Sequence, residues 1–227
     1  MSRPQHTVKK HPPRRLSTRC TPETVFVMLD TAVQQASTQV EQSAQRTMHA
    51  CTAGCTFCCH LPVDVTAPEA LSIAAYLRQS LSPAALAVLQ ARITATAVQV
   101  SSLSYEDHTQ AKIPCALLMD GTCMAYPQRP FACRAWNSTS RECCEHIFRH
   151  GDPVTMLPPL DLPAYEAVWK LAQGIVDGLK QARLDSHTYE LHSILRRVLE
   201  TPDAAARWLQ HDNVFAGCLI GAYTHDT

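Results

Sequence analysis

A mainly α-helical fold, built around an irregular cysteine-rich core made from two loop segments, follows from three features of the sequence. Apolar residues recur at helical spacing through most of the chain beyond position 21. Cysteines fall in two groups, Cys51, Cys55, Cys58 and Cys59, then Cys115, Cys123, Cys133, Cys143 and Cys144. Extended structure is confined to short pieces beside those groups. A chain of 227 residues, 46% of them hydrophobic, is long enough for one generous core. Three segments are expected: a basic tail over 1–20, a cysteine-cluster domain over 21–150, and a helical C-terminal part over 151–227 packed on it.

The tail carries Arg3, Lys9, Lys10, Arg14, Arg15 and Arg19 with no acidic residue, a composition that favours disorder. Cys20 lies at its edge and is expected to have no ligand role. Thr21 and Pro22 are suited to N-cap and first helical position, and Val25, Leu29, Ala32, Ala36 and Val40 then mark one face of a long helix. Gly54, inside the first cysteine group, lets the chain curl through positive φ, so this stretch is expected to be a loop.

Leu61 to Val65 is expected to be extended, and Thr66-Ala-Pro-Glu69 forms a capping box that opens a helix. Its buried face is Ala70, Ile73, Ala74, Leu77 and Leu81. Ser82-Pro83 opens the next, with Leu86, Leu89, Ile93, Ala97 and Val100 inward, reaching to about 108; both helices are read as core. Asp120-Gly121 then signals a small hairpin or tight loop with Cys115 and Cys123 on either side.

Pro153, Pro158, Pro159 and Pro163 make 152–163 a stiff linker. Beyond it, Tyr165, Val168, Trp169, Ala172, Ile175, Val176 and Leu179 form an apolar stripe, with Gly174 and Gly178 read as sites of close helix packing. Leu191, Ile194, Leu195 and Val198 mark another helix, and a short last one starts near Pro202.

Formal net charge is zero, which disfavours a surface for nucleic acid. No apolar run approaches the roughly 18 residues of a membrane span, and no secretory signal is evident, so a cytoplasmic location without a membrane partner is expected. In such a reducing compartment disulfides rarely persist, and the eleven cysteines are odd in number with two vicinal pairs. Metal thiolates are therefore the leading reading. Four thiolates can close a structural zinc site or hold an iron–sulfur cluster, and the Cys51-x3-Cys55-x2-Cys58 spacing matches neither a zinc ribbon nor a ferredoxin run. One centre or two are open.

Arg129 and Arg134 flank Cys133 and are expected to serve the bound group by donating to sulfur and offsetting its negative charge, against the alternative of a surface pair at a turn. His60 and His146 adjoin cysteine pairs and are lesser ligand candidates. Cys218 is expected to be a buried apolar cysteine.

The first cysteine group, the Val63-Asp-Val-Thr-x-x-Glu69 helix start, and Cys115 followed by Asp-Gly-x-Cys123-x-x-Tyr126-x-x-Arg129-Pro-x-x-Cys133-Arg134 resemble the YkgJ-like cysteine-cluster family. Its shared CxxCxxCC domain is described as zinc- or iron-chelating. The resemblance covers about residues 50 to 145, with three residues here, where the family has two, between the first two cysteines. It implies a bound zinc or iron, held by Cys51, Cys55, Cys58, Cys59, Cys115, Cys123, Cys133, Cys143 and Cys144, without implying a reaction. A related domain occurs in flagellin lysine N-methylases, so a metal-dependent enzyme acting on a protein or peptide is the alternative. No glycine-rich nucleotide turn accompanies it. A third reading is a metal carrier whose C-terminal helices grip a protein partner.

Overall fold

The computed structural model of the chain describes residues 21–52, 54–219 and 221. The basic tail and Cys20 lie outside the described residues. The fold is mainly helical, and no helix among the described residues is long and apolar enough to cross a membrane.

Helix α1 runs Val25–Ala44 and buries Val25, Leu29, Ala32, Ala36 and Val40, the stripe expected from spacing. It starts later than the Thr21-Pro22 signal suggests, because residues 22–24 form a turn in which the Thr24 amide bonds the Thr21 carbonyl at 3.0 Å. Strand β1 (Asp64–Thr66) leads into α2 (Ala67–Ser80), whose capping box is formed by Thr66 and Glu69. Ser82 caps α3 (Pro83–Val100), accepting from the Ala85 amide. The helical pattern expected to reach 108 breaks at residues 101–104. Ser104 there accepts the Asp107 amide hydrogen and caps a separate helix, α4 (Tyr105–Ala111).

The hairpin is present as β2 (Leu118–Met119) and β3 (Thr122–Cys123), with Asp120 at φ 48° and Gly121 at φ 76°. Both central residues are left-handed, the geometry that matches strand twist in a two-residue turn. Helix α5 (Phe131–Ala135) carries Cys133, and α6 (Arg141–His150) carries Cys143 and Cys144. The second cysteine segment is therefore not wholly loop: Ser140 caps α6 through the Cys143 amide and turns the trailing pair into a helix start. In the first segment, Phe57–His60 is a single 3₁₀ turn.

The proline-rich stretch lies along the preceding segment. The Thr139 amide bonds Pro159, and the Asp161 amide bonds Asn137, both at 2.9 Å. Asp161 then caps α7 (Leu162–Gln181). Val168, Ile175, Gly178 and Leu179 are buried there, whereas Gly174 faces open space and is not a site of close packing. Strand β4 (Thr188–Glu190), for which the sequence carries no strand pattern, pairs antiparallel with β1. It feeds α8 (Leu191–Glu200), whose Leu191, Ile194, Leu195 and Val198 are all buried, each contributing about 1.5–3 kcal/mol. Helix α9 spans Ala204–Leu209.

Helix α7 packs on α1 and α5, and α8 packs on α2 and α3. One hydrophobic cluster runs through these elements from Val25 to Phe215, with Cys115, Cys123 and Cys133 against its edge. The cysteines thus sit where the helical core ends.

Candidate metal centre

The cysteine-bearing stretch from 115 to 134 contains little regular structure of its own, and four helices each fix it with a polar side chain. From α2, Glu69 accepts the Phe131 amide hydrogen at 3.0 Å, fixing the start of the helix that carries Cys133. From α3, Arg92 donates to the Leu118 carbonyl at 2.7 Å and holds the hairpin. From α8, His192 Nε2 accepts from the Ala116 amide at 3.1 Å. From α1, Ser37 takes the Arg134 Nη1 hydrogen at 2.8 Å. The first cysteine group joins this stretch through its own backbone, the Cys115 amide bonding the Cys59 carbonyl at 2.8 Å.

These ties bring Cys59, Cys115, Cys123 and Cys133 within electrostatic reach of one another. Cys133 is a half-buried residue whose thiol pKa lies well above the ordinary value, first because of burial and then because Cys115, Cys123 and Cys59 oppose a further negative charge. Burial, with Cys115 and Cys59 adding to it, pushes Cys123 up to about 11. In the vicinal pair, Cys58 donates a hydrogen bond to Cys59. That bond raises Cys58 well above the ordinary thiol value and lowers Cys59 from it, with Arg129 adding to the lowering. The Cys58 hydrogen bond therefore favours the thiolate of Cys59, the form that ligates and attacks.

Cys51, Cys55, Cys143 and Cys144 form the outer side of this region. The Cys51 residue is exposed, yet its sulfur accepts the Ser138 amide hydrogen at 3.3 Å, and the Ala50 amide bonds the Ser138 carbonyl at 2.8 Å. Its thiol is raised by burial, with Cys55 and Cys144 adding to the effect. Cys144 is raised by burial against a lowering hydrogen bond with the Ser138 side chain, with Cys55 and Cys143 opposing further charge. Gly54, at φ 83°, supplies the curl expected in the first group. Cys58 links the two sides, since its thiol feels both Cys133 and Cys51.

Arg129 is the cation common to both sides. Its guanidinium stacks over the Tyr126 ring at 4.2 Å, and its charge favours the thiolate forms of Cys51, Cys59, Cys123 and Cys133. Its Nε is buried with no hydrogen-bond partner. Arg134 has a different place. It is 4% exposed and donates to the Arg129 carbonyl at 2.8 Å, to Ser37, and to the Pro127 carbonyl at 2.5 Å. Those bonds all go to oxygen, so it braces the loop that aims Arg129 and reaches Cys133 through charge.

The lesser candidates lie at the periphery. The His60 ring nitrogen meets the Thr56 carbonyl at 3.0 Å, and its ring lies 4.8 Å from Phe148. His146 is exposed and faces His150. Cys218 is half-buried, not fully buried, and its thiol points to the Ser193 carbonyl at 3.7 Å.

Two residues of the site carry no sequence signal. Glu190 is fully buried and accepts the Ser193 amide hydrogen at 2.7 Å, while its other oxygen meets His192 Nδ1 at 2.6 Å. His192 Nε2 in turn accepts the amide hydrogen of Ala116, the residue after Cys115, at 3.1 Å. Burial alone would lower the imidazole pKa, but the neighbouring Cys115 and then Glu190 raise it. Glu190 and His192 stand 75 and 77 residues beyond Cys115 in sequence, so only the folded chain joins them to it.

All ten cysteines among the described residues are free thiols. Among the same residues, no three His, Cys, Asp or Glu side chains are already drawn together as a metal site. The donor set nonetheless suits a soft or borderline cation. Burial and mutual repulsion oppose deprotonation of Cys58, Cys123 and Cys133, a cost that metal coordination would offset. The unpaired Arg129 Nε is a donor suited to an anionic thiolate centre. In comparisons with protein-family models, curated proteins and solved structures, nothing matches this chain.

Proposed function

We propose that this protein is a metal-binding protein that holds zinc or iron, the latter as an ion or an iron–sulfur cluster, through the cysteine thiolates around Arg129. The observation that carries this reading is the Arg129 guanidinium, whose charge reaches four cysteines while its buried Nε has no partner. Cys59, Cys115, Cys123 and Cys133 are the inner ligands in this reading. Cys51, Cys55, Cys58, Cys143 and Cys144 are outer or exchanging ones. Bound metal would staple the first cysteine group to the second and add folding free energy. The resemblance to the YkgJ-like family agrees with this reading, and the free thiols agree with a reducing, cytoplasmic setting.

Elemental analysis and an absorption spectrum of protein purified without oxygen and without a metal-binding tag test it. Stoichiometric zinc without colour, or iron with acid-labile sulfide and brown charge-transfer absorption, is the expected result. Metal-free protein that binds neither zinc nor iron on reconstitution would overturn it. The lowered Cys59 thiol favours one second reading, a metal-dependent enzyme that modifies a protein or peptide with a reactive thiolate. That reading requires Cys59 to be alkylated by iodoacetamide while the metal stays bound.

A further inference from the structure

A carboxylate and an imidazole, both buried in α8 and its approach, are aimed at one cysteine of the proposed centre. Glu190 and His192 have side-chain exposures of 0% and 5%, and their Oε1 and Nδ1 atoms are 2.6 Å apart. The carboxylate is held by the Ser193 amide at 2.7 Å, so the ring has little freedom to turn about its Nδ1 contact. At the other edge of the ring, Nε2 takes the amide hydrogen of Ala116 at 3.1 Å. That contact fixes the main chain just after Cys115.

A fully buried polar pair costs free energy unless every donor and acceptor is met, and an apolar pair of similar volume would serve a purely structural role at least as well. What the apolar pair would not do is fix Cys115. We propose that His192, clamped by Glu190, is a positioning residue that holds Cys115 in place as a metal ligand. This rests on the metal-binding reading above. Carboxylate, histidine and ligand in series is a recurrent arrangement around metal centres, there with histidine as the ligand; here the ring would act further out, on the main chain beside a cysteine. Among the ligands proposed, Cys115 needs such a hold because it lies between the α4 helix and the hairpin, and its own segment is short.

The full-length chain, stripped of metal and titrated with Co²⁺ as a coloured probe, tests this. Wild-type protein is expected to show thiolate-to-cobalt charge-transfer absorption and slow transfer of the ion to a chelator. His192→Ala is expected to shift that absorption and speed transfer about tenfold or more, the size found when outer-shell partners of metal ligands are removed. His192→Gln can still accept the Ala116 hydrogen, so it is expected to recover most of the slow transfer. Glu190→Gln keeps the ring and loosens its clamp, which should give an intermediate rate even if His192→Ala fails to fold. Folded His192→Ala or Glu190→Gln protein with wild-type absorption and transfer rate would overturn the proposal while leaving the metal-binding reading intact. Wild-type protein that takes up no cobalt, zinc or iron would overturn both.

Discussion

Glu69 bonds the amide of Phe131 at 3.0 Å while its other carboxylate oxygen accepts the Thr66 amide and hydroxyl hydrogens, each at 2.8 Å. One side chain therefore caps α2 and fixes the start of α5, 62 residues away in sequence. Its carboxyl pKa is raised by burial, against the lowering effect of those bonds and of Arg134. The residue that looks like a local helix signal also sets the position of Cys133.

Glu69→Ala should lose about 2–4 kcal/mol, combining the cap with an orphaned Phe131 amide. Glu69→Gln keeps acceptor oxygens and should cost less. Chemical denaturation measures both, and a Glu69→Ala loss below about 0.5 kcal/mol would show that the Phe131 contact contributes nothing to stability.

Cys133→Ser and Cys59→Ser should lose metal and thermal stability together, because a hydroxyl is a poor substitute for thiolate with zinc or iron. Cys218→Ser should keep full metal content, since its thiol faces the Ser193 carbonyl. Elemental analysis beside a melting curve reads both effects. Full metal content in the two cluster variants would remove these sulfurs from the ligand set.

Arg129→Met keeps the length of the side chain and removes the charge that favours the thiolate forms of Cys51, Cys59, Cys123 and Cys133. Metal affinity should fall about tenfold, measured by competition with a chelator, and Arg129→Lys should restore part of it. Arg134→Ala is expected to act differently. Losing three hydrogen bonds to oxygen, it should lower stability more than affinity.

Metal binding should release protons and strengthen as pH rises. Burial holds the Cys123 thiol up to about 11, and Cys133 is raised well above the thiol range, so both are protonated near neutral pH and must lose their protons to ligate. The affinity gain therefore extends from neutral pH up toward the Cys123 value. Indicator-dye titration at two pH values checks this, and a pH-independent affinity with no proton release would show that these two thiols are not ligands.

Asp161 caps α7 and meets His49 Nε2 at 2.7 Å, with side-chain exposures of 0% and 9%. Burial alone would raise its pKa; the bonds from His49, Ser43 and Ala164 bring it below the ordinary carboxylate value. A depressed folded-state pKa gives stability that is present above the unfolded value of 3.8 and is lost as pH falls through the folded one. Asp161→Ala should therefore cost about 3 kcal/mol or more at neutral pH and flatten the acid limb of the stability curve. Unfolding at several pH values between neutrality and strong acid provides the measurement.

Periodicity and capping were enough to place the helical stripes. The inward faces of α1 and α8, the Thr66 to Glu69 capping box and the Asp120-Gly121 hairpin depend on interactions within a few residues, and a local pattern records them; in α7 the expected stripe is wider than the buried face, since only Val168, Ile175 and Leu179 of it are buried and Trp169 is exposed. The gap between α3 and α4 was missed because the Ser104 cap competes with a helical pattern that continues past it. Strand β4 was missed because three residues pairing with a distant β1 leave no alternation to read.

The two cysteine groups could be recognised as thiol donors from the sequence by itself, because their chemistry is that of the residue type. Which thiols face one another was decided only by tertiary structure. Burial lifts the thiol pKa of Cys133, the Cys58 hydrogen bond lowers Cys59, and the junction of β4 and α8 brings His192, held by Glu190, to the main chain beside Cys115. Arg129 and Arg134 look alike as neighbours of Cys133 in the chain. Packing separates them: the Arg129 guanidinium stacks over Tyr126 with its charge reaching four cysteines, while that of Arg134 bonds two backbone carbonyls and the Ser37 hydroxyl. Hydrogen bonding and desolvation act through space, so these distinctions exist only once α1, α2, α3 and α8 have closed around the segment.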